Sequence, residues 1–410
     1  MSNFEEDLLE YNELDAYKKL KDANDSLFGL NGEQNFEEFF LLSKMSALQG
    51  NDYSQYIIGI FYEYGMDGLE RFFEIDIEAD EKYYKMKNYK KALEFYKKAA
   101  DQGYKDAQYA LGNMYYKGNG TEVDYEKAIY WFKSSKTEFA CFNVGCFYEN
   151  GIGVEQNYKA AIKWYEKAAQ LGNSNAAYNL GVMYKMGQGC NIDYDKAVKW
   201  YKKACELNNI SALYNLGLMY LSGEGVEVDY KKAIELFEEA AEYASELAMY
   251  QLGYMYNEGI GVDEDLEQAK IWYEQSANLG CADAQCNLGY FYQEGLGIEQ
   301  DYEKAKIWYE KAIEQGEYLA KSNLAEMYIF GHGVEVDLEK ALSLYEDALI
   351  DAKEMGDKEE ISIVLFNMAE VHEIGYGTET DLKKAKELYE ESAAYGLEEA
   401  NERLENLKIK

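Results

Sequence analysis

Proline occurs nowhere in the 410 residues. Proline-rich linkers and recognition tails are therefore excluded. Histidine occurs twice, at His332 and His372. Neither belongs to a cluster with ligand spacing, so the sequence offers no metal centre and no histidine-assisted nucleophile. No serine is followed three residues later by lysine, which removes the common serine–lysine hydrolase motif. Cations are scarce: 41 Lys and Arg face 77 Asp and Glu, for a formal charge of −36. Phosphate binding needs clustered Lys and Arg. Nucleic acid and anionic membrane are thus excluded as partners, and a basic partner is favoured. No run approaches the ~18 apolar residues that span a membrane. The first residues, Met-Ser-Asn-Phe-Glu-Glu-Asp, lack the basic start and apolar core of a secretory signal. The chain reads as soluble and cytoplasmic, with no cofactor and no metal.

Cysteine is sparse too. Cys141 and Cys146, like Cys281 and Cys286, stand five apart. On one helix that spacing points side chains away from each other. Small buried thiols in a reducing compartment are expected rather than disulfides.

What the chain has in abundance is tyrosine and glycine, and both are periodic. Ala176 to Gly189 reads Ala-Ala-Tyr-Asn-Leu-Gly-Val-Met-Tyr-Lys-Met-Gly-Gln-Gly. Variants of it return at 212–225, 248–261 and 284–297, so the glycine after Leu180 recurs every 36 residues, at 181, 217, 253 and 289. A fixed period of this length marks stacked repeats, each touching only its neighbours.

Within one unit, Ser174 to Asn209, the spacing of Ala177, Leu180, Gly181 and Tyr184 predicts an amphipathic helix A. Gly187 and Gly189 break it. Asp193 is placed to cap helix B, whose Ala197, Trp200, Tyr201 and Ala204 share a face. The cap column reads Asn35, Asn88, Asp124, Asn157, Asp193, Asp229, Asp265, Asp301, Asp337 and Asp381. The helix-A glycine column runs from Gly59 to Gly289 and then becomes Ala325 and Ala369. About nine hairpins result, with a partial one at the start.

The pattern Ala-x-x-x-Leu-Gly-x-x-Tyr-x-x-Gly-x-Gly-Val-x-x-Asp-x-x-x-Ala-x-x-Trp-Tyr-x-x-Ala resembles the Sel-1-like repeat (SLR) family, whose helical repeats are related to tetratricopeptide repeats. The resemblance is clearest from Ala107 to Gly316 and extends to Gly396. It implies an all-α, right-handed superhelical α-solenoid of about nine hairpins with capping helices, helix A lining the concave side. It also implies a non-enzymatic scaffold or adaptor that holds a protein or peptide. The strong negative charge supports an alternative: an inhibitor or immunity protein that covers a basic enzyme or toxin.

The expected organisation is a capping helix and loop over 1–34, the helix at Phe4 to Leu20 and the loop ending near Gln34. Divergent first repeats follow over 35–104, carrying an acidic, aromatic insert at 65–87. Regular repeats occupy 105–316, divergent repeats 317–397, and a capping helix 398–410. The insert is either a functional loop or an irregular packed edge. The spacing of Ala325 and Ala369 is stretched, with extra residues at 348–360 expected to lengthen helix B by about two turns. The Gly-x-Gly turns follow a helix rather than a strand, so they read as helix punctuation and not as phosphate loops.

A recurring polar and aromatic face supplies the candidate protein-binding residues. Two positions before the column glycine stand Asn143, Asn179, Asn215, Gln251, Asn287, Asn323 and Asn367. A carboxamide there can pair with the backbone of an extended peptide. Tyr178, Tyr214 and Tyr250 stand three before it, and Tyr254 and Tyr290 one after, offering apolar contact at low entropy cost. The other use of the same residues is internal, with Asn tying adjacent hairpins together and Tyr packed beneath. At this stage both uses fit the pattern.

Overall fold

In the computed structural model, residues 13–28, 35–74, 83, 85–376 and 379–407 are described. All regular structure among them is helical. The chain divides into two compact units, Met1–Ala212 and Leu213–Lys410.

The first unit begins with helices Glu13–Leu27 and Phe36–Leu48. Helix hairpins then follow: Asp52–Tyr64 with Tyr89–Asp101, Lys105–Lys117 with Tyr125–Ser135, Glu138–Asn150 with Tyr158–Gln170, and Ser174–Met186 with Tyr194–Glu206. A short extra helix, Met66–Phe73, interrupts the first of these. Helix Ile210–Ser222 spans the division and pairs in sequence with Tyr230–Glu242. The second unit continues with Glu246–Glu258 and Leu266–Leu279, Ala282–Glu294 and Tyr302–Glu314, Leu319–Phe330 and Leu338–Met355, Lys358–Ile374 and Leu382–Tyr395, then the closing helix Glu398–Leu407.

Each hairpin is built the same way. The cap side chain accepts a hydrogen bond from the backbone N–H three residues on, at all ten positions from Asn35 to Asp381. This satisfies an amide that the first helical turn leaves free. At the eight caps from Asn88 to Asp337, the cap's own N–H donates to the carbonyl of the helix-A tyrosine, as Asp193 does to Tyr184 at 2.9 Å; Asp381 donates to His372 instead. Lys196 then lies over the Tyr184 ring, 5.0 Å from its centroid. The core is small residues and large rings: Ala177, Leu180, Ala197 and Ala204 are fully buried, and Tyr201 nearly so.

The column glycine has a physical cause that periodicity alone did not supply. A Cβ on Gly181 would stand 2.5 Å from the Tyr201 ring, which is buried in the same hairpin. Helices A and B meet there closer than a methyl group permits. The second glycine of the turn serves the neighbouring hairpin instead. At Gly189, φ is +73°, and a Cβ would stand 2.5 Å from Tyr158 Cβ and 2.8 Å from its backbone carbonyl carbon, at the start of the preceding helix B. Punctuation is thus only part of the motif's purpose.

Three details differ from the sequence reading. The first described helix reaches Leu27 rather than ending at Leu20, because Ala23 and Leu27 are fully buried one turn apart; the start expected at Phe4 lies outside the described residues. The extra residues near 348–360 are shared between two helices. Leu338–Met355 has 18 residues and Lys358–Ile374 has 17, against 13 in Tyr194–Glu206, because Gly356 and Asp357 cap and restart the helix. Finally, Cys281 is the residue that precedes helix Ala282–Glu294, so it does not share that helix with Cys286. All six cysteines are free.

Of the 65–87 insert, the described part packs. Met66 and Leu69 are fully buried, and the Phe73 ring meets Phe39 and Phe28 edge-on, at 5.8 and 5.9 Å. Residues 75–82 and 84 lie outside the described residues.

Candidate protein-binding face

Asn143, Asn179, Asn215, Gln251, Asn287, Asn323 and Asn367 are all half-buried on first helices of their hairpins. Several of them reach back one hairpin. The Tyr214 hydroxyl meets Gln251, and those of Tyr250 and Tyr273 meet Asn287. Asn323 Nδ2 faces Cys286 Sγ at 3.7 Å. Asn367 meets Tyr345. These polar contacts run from one repeat to the next, so the carboxamides there are already partly engaged.

Tyr178, Tyr214 and Tyr250 are half-buried, each tilted against the core ring of its own helix B. Their centroids stand 5.9 Å from Tyr201, Phe237 and Tyr273 respectively. Burial, with Asp283 adding repulsion, pushes the Tyr250 hydroxyl up to about 12. Tyr254 and Tyr290 differ: 40% and 46% exposed, they offer open rings to solvent on helices Glu246–Glu258 and Ala282–Glu294.

Beneath this face runs a pairing that sequence reasoning missed. In four hairpins helix A supplies an acceptor for the buried helix-B tyrosine, four residues after the column Gly or Ala. Tyr96 donates to Glu63 at 2.8 Å, Tyr309 to Gln293 at 3.0 Å and Tyr389 to Glu373 at 3.0 Å, and Tyr165 donates to Glu149. Where helix B carries phenylalanine, at Phe132 and Phe237, the helix-A position is Tyr116 or Leu221. The pairing is not universal: opposite Tyr201, Tyr273 and Tyr345 the helix-A position is Lys185, Asn257 and Ile329, and Tyr273 and Tyr345 instead meet Asn287 and Asn367 of the next hairpin. Either way a buried hydroxyl gains a partner, since leaving it without one is costly. The signal was present in the sequence, but only as a relation between two columns.

Nine segments of the chain match the Sel1 repeat: 83–104, 105–136, 139–173, 174–209, 210–242, 247–281, 282–317, 319–348 and 362–396. The chain belongs to the Sel1 repeat family. Among solved structures it is similar to a protective antigen of uropathogenic Escherichia coli strains that displays an SLR fold, with 25% identity over 96% of this chain and 88% of that chain and a TM-score of 0.68. It is also similar to a Sel1 repeat protein from Oxalobacter formigenes, with 28% identity over 78% of this chain and 90% of that chain and a TM-score of 0.61. No curated protein matches. The fold is an all-α solenoid of Sel1 hairpins. Sel1 repeats generally mediate protein–protein interaction, typically on a non-enzymatic scaffold.

Among the described residues of this Sel1 chain, no group of His, Cys, Asp and Glu is arranged to hold a metal ion. No described helix is long and apolar enough to cross a membrane. His332 sits between two turn glycines and stacks on Tyr302, with ring centroids 4.7 Å apart.

Proposed function

We propose that the chain is a non-enzymatic scaffold whose helix-A face holds a protein or peptide partner. The observation that carries this reading is the contrast along that face. Gln251, Asn287, Asn323 and Asn367 meet the preceding hairpin and the inner tyrosines lie against core rings, whereas Tyr254 and Tyr290 stand exposed at equivalent positions of successive repeats. Rigid amphipathic rings on a fixed spacing supply contact area at small entropic cost. The half-buried carboxamides beside them would add donors and acceptors at the edge of the contact.

The test is affinity capture with the full chain as bait, beside a folded Tyr254→Ala/Tyr290→Ala variant. The reading expects the captured protein to be lost or reduced at least about tenfold, the effect of ~1.4 kcal/mol. Equal capture by both baits contradicts it.

The charge of −36 favours a second reading, an inhibitor that covers a basic enzyme. That reading expects affinity to fall steeply between about 0.05 and 0.5 M salt, as exposed charges are screened.

A further inference from the structure

One cleft of about 300 Å³ opens on the helix-A face near the start of the chain. It is lined by Tyr56, Tyr64, Phe72, Tyr109 and Ala110, with Glu63 among them. The cleft lies between the extra helix Met66–Phe73 and a changed column of the next hairpin. Ala110 occupies the position that holds Asn143, Asn179 and their successors in later repeats. A methyl group leaves the space that a carboxamide fills elsewhere.

Glu63 is 5% exposed and accepts from the Tyr96 hydroxyl at 2.8 Å. The Tyr64 hydroxyl also meets it. Among the described residues no cation lies within ion-pair distance of it. Arg71, the one cation in the lining, has its Nε tied to the Asp67 carbonyl at 3.0 Å. Burial raises the Glu63 carboxyl, opposed by the Tyr96 and Tyr64 hydroxyls and, more weakly, by the positive charge of Lys117.

The last repeat shows what such a position accepts. There the tyrosine–carboxylate pair is Tyr389 and Glu373. The residue in the Ala110 column is Arg403, on helix Glu398–Leu407. Its guanidinium pairs with Glu370 at 2.5 Å, a position held by Ile60 at the cleft, and approaches Glu373, the counterpart of Glu63, at 3.8 Å. The protein thus seats its own arginine on the register position that Ala110 leaves vacant.

We infer that the Glu63 cleft binds an arginine side chain presented by a partner protein or peptide. The guanidinium meets the carboxylate as Arg403 meets Glu373, and the rings of Tyr56, Tyr64 and Tyr109 surround it. Planar guanidinium suits both contacts, since it pairs with carboxylate and lies against aromatic rings. The negative charge of the whole chain favours approach of a cation. This assignment rests on the helix-A face being the partner-binding side.

The test is a titration of the full chain, labelled at isoleucine methyl groups, with acetylated and amidated Gly-Gly-Arg-Gly-Gly. Ile60 lines the cleft and reports occupancy. The expected result is a saturable Ile60 shift with Kd on the order of 1 mM. The citrulline peptide, which keeps the shape and lacks the charge, gives none. Glu63→Gln weakens binding at least about tenfold. Ala110→Arg abolishes it, because the new side chain occupies the cleft. Should either variant unfold, the comparison of arginine and citrulline peptides on the unmodified chain decides alone. Equal shifts from both peptides, or none with the arginine peptide, overturn the assignment. Loss of this binding with capture still dependent on Tyr254 and Tyr290 removes the cleft and keeps the scaffold. Arginine binding with capture indifferent to those tyrosines does the reverse.

Discussion

Tyr309 donates a hydrogen bond from its buried hydroxyl to Gln293 Oε1 at 3.0 Å, from the second helix of a hairpin back to the end of the first. Replacing Gln293 with leucine strands that hydroxyl and is expected to cost about 1–3 kcal/mol. Adding Tyr309→Phe should recover most of the loss, because Phe237 with Leu221 already uses that apolar combination. Urea unfolding of the two single variants and the double variant measures the coupling. Additive effects would refute the pairing.

Asn287 and Tyr290 lie one turn apart and are assigned different work. Asn287 meets the hydroxyls of Tyr250 and Tyr273, so Asn287→Ala is expected to destabilise the fold by about 1–3 kcal/mol. Tyr290 is 46% exposed, and Tyr290→Ala should change stability by no more than about 0.5 kcal/mol. Thermal melts of the two variants separate them; the opposite ranking would exchange their roles.

Stability should pass through a maximum on the acid side of neutrality. Burial raises the carboxyls of Glu63, Glu317, Glu326 and Glu360. The stability tied to these groups is complete below the ordinary Glu range and is lost as pH rises through their raised values. Asp124 and Asp193 are lowered, chiefly by the side chains of Lys127 and Lys196. Their contribution is present above the ordinary Asp range and is lost as pH falls through their lowered values. At constant ionic strength, Tm should rise from pH ~7 to ~5 and fall below pH ~4. A steady decline from pH 7 downward would contradict this, and Glu63→Gln should flatten the acid-side rise.

Salt should stabilise the chain. With a formal charge of −36, exposed carboxylates repel across the helical surface. Raising salt from about 0.05 to 0.5 M shortens the screening length from ~14 to ~4 Å. Tm is expected to increase over that range. A decrease would mean that the ion pairs at the helix caps outweigh the repulsion.

Much of the fold was legible because repetition amplifies weak local signals. Asp193 alone is an ambiguous cap; ten such positions in register are not. The same repetition made the glycine column visible without giving its cause, which lies in the approach of the Tyr201 ring across the hairpin. Divergent stretches were less readable. The residues around Gly356 read as part of one lengthened helix, because no consensus marks where the second begins. The candidate face was legible as columns of Asn and Tyr, but not in its division of labour. Whether Asn287 faces a partner or Tyr250 depends on the register between hairpins, which no single unit contains. For the same reason Ala110 and Arg403 were unremarkable until the stacking placed both in one column.

The central claim is that close glycine–tyrosine contacts lock the two helices of each hairpin together, and that each hairpin then depends only on those beside it. Amide hydrogen exchange of the full chain carrying Gly253→Ala tests it most directly. A Cβ there meets the buried Tyr273 ring at 2.6 Å, and the strain should cost about 1–3 kcal/mol. The account predicts lost protection in helices Glu246–Glu258 and Leu266–Leu279 and in the hairpins adjoining them, with helices Tyr125–Ser135 and Tyr158–Gln170 unchanged. Equal loss of protection along the whole chain would contradict it.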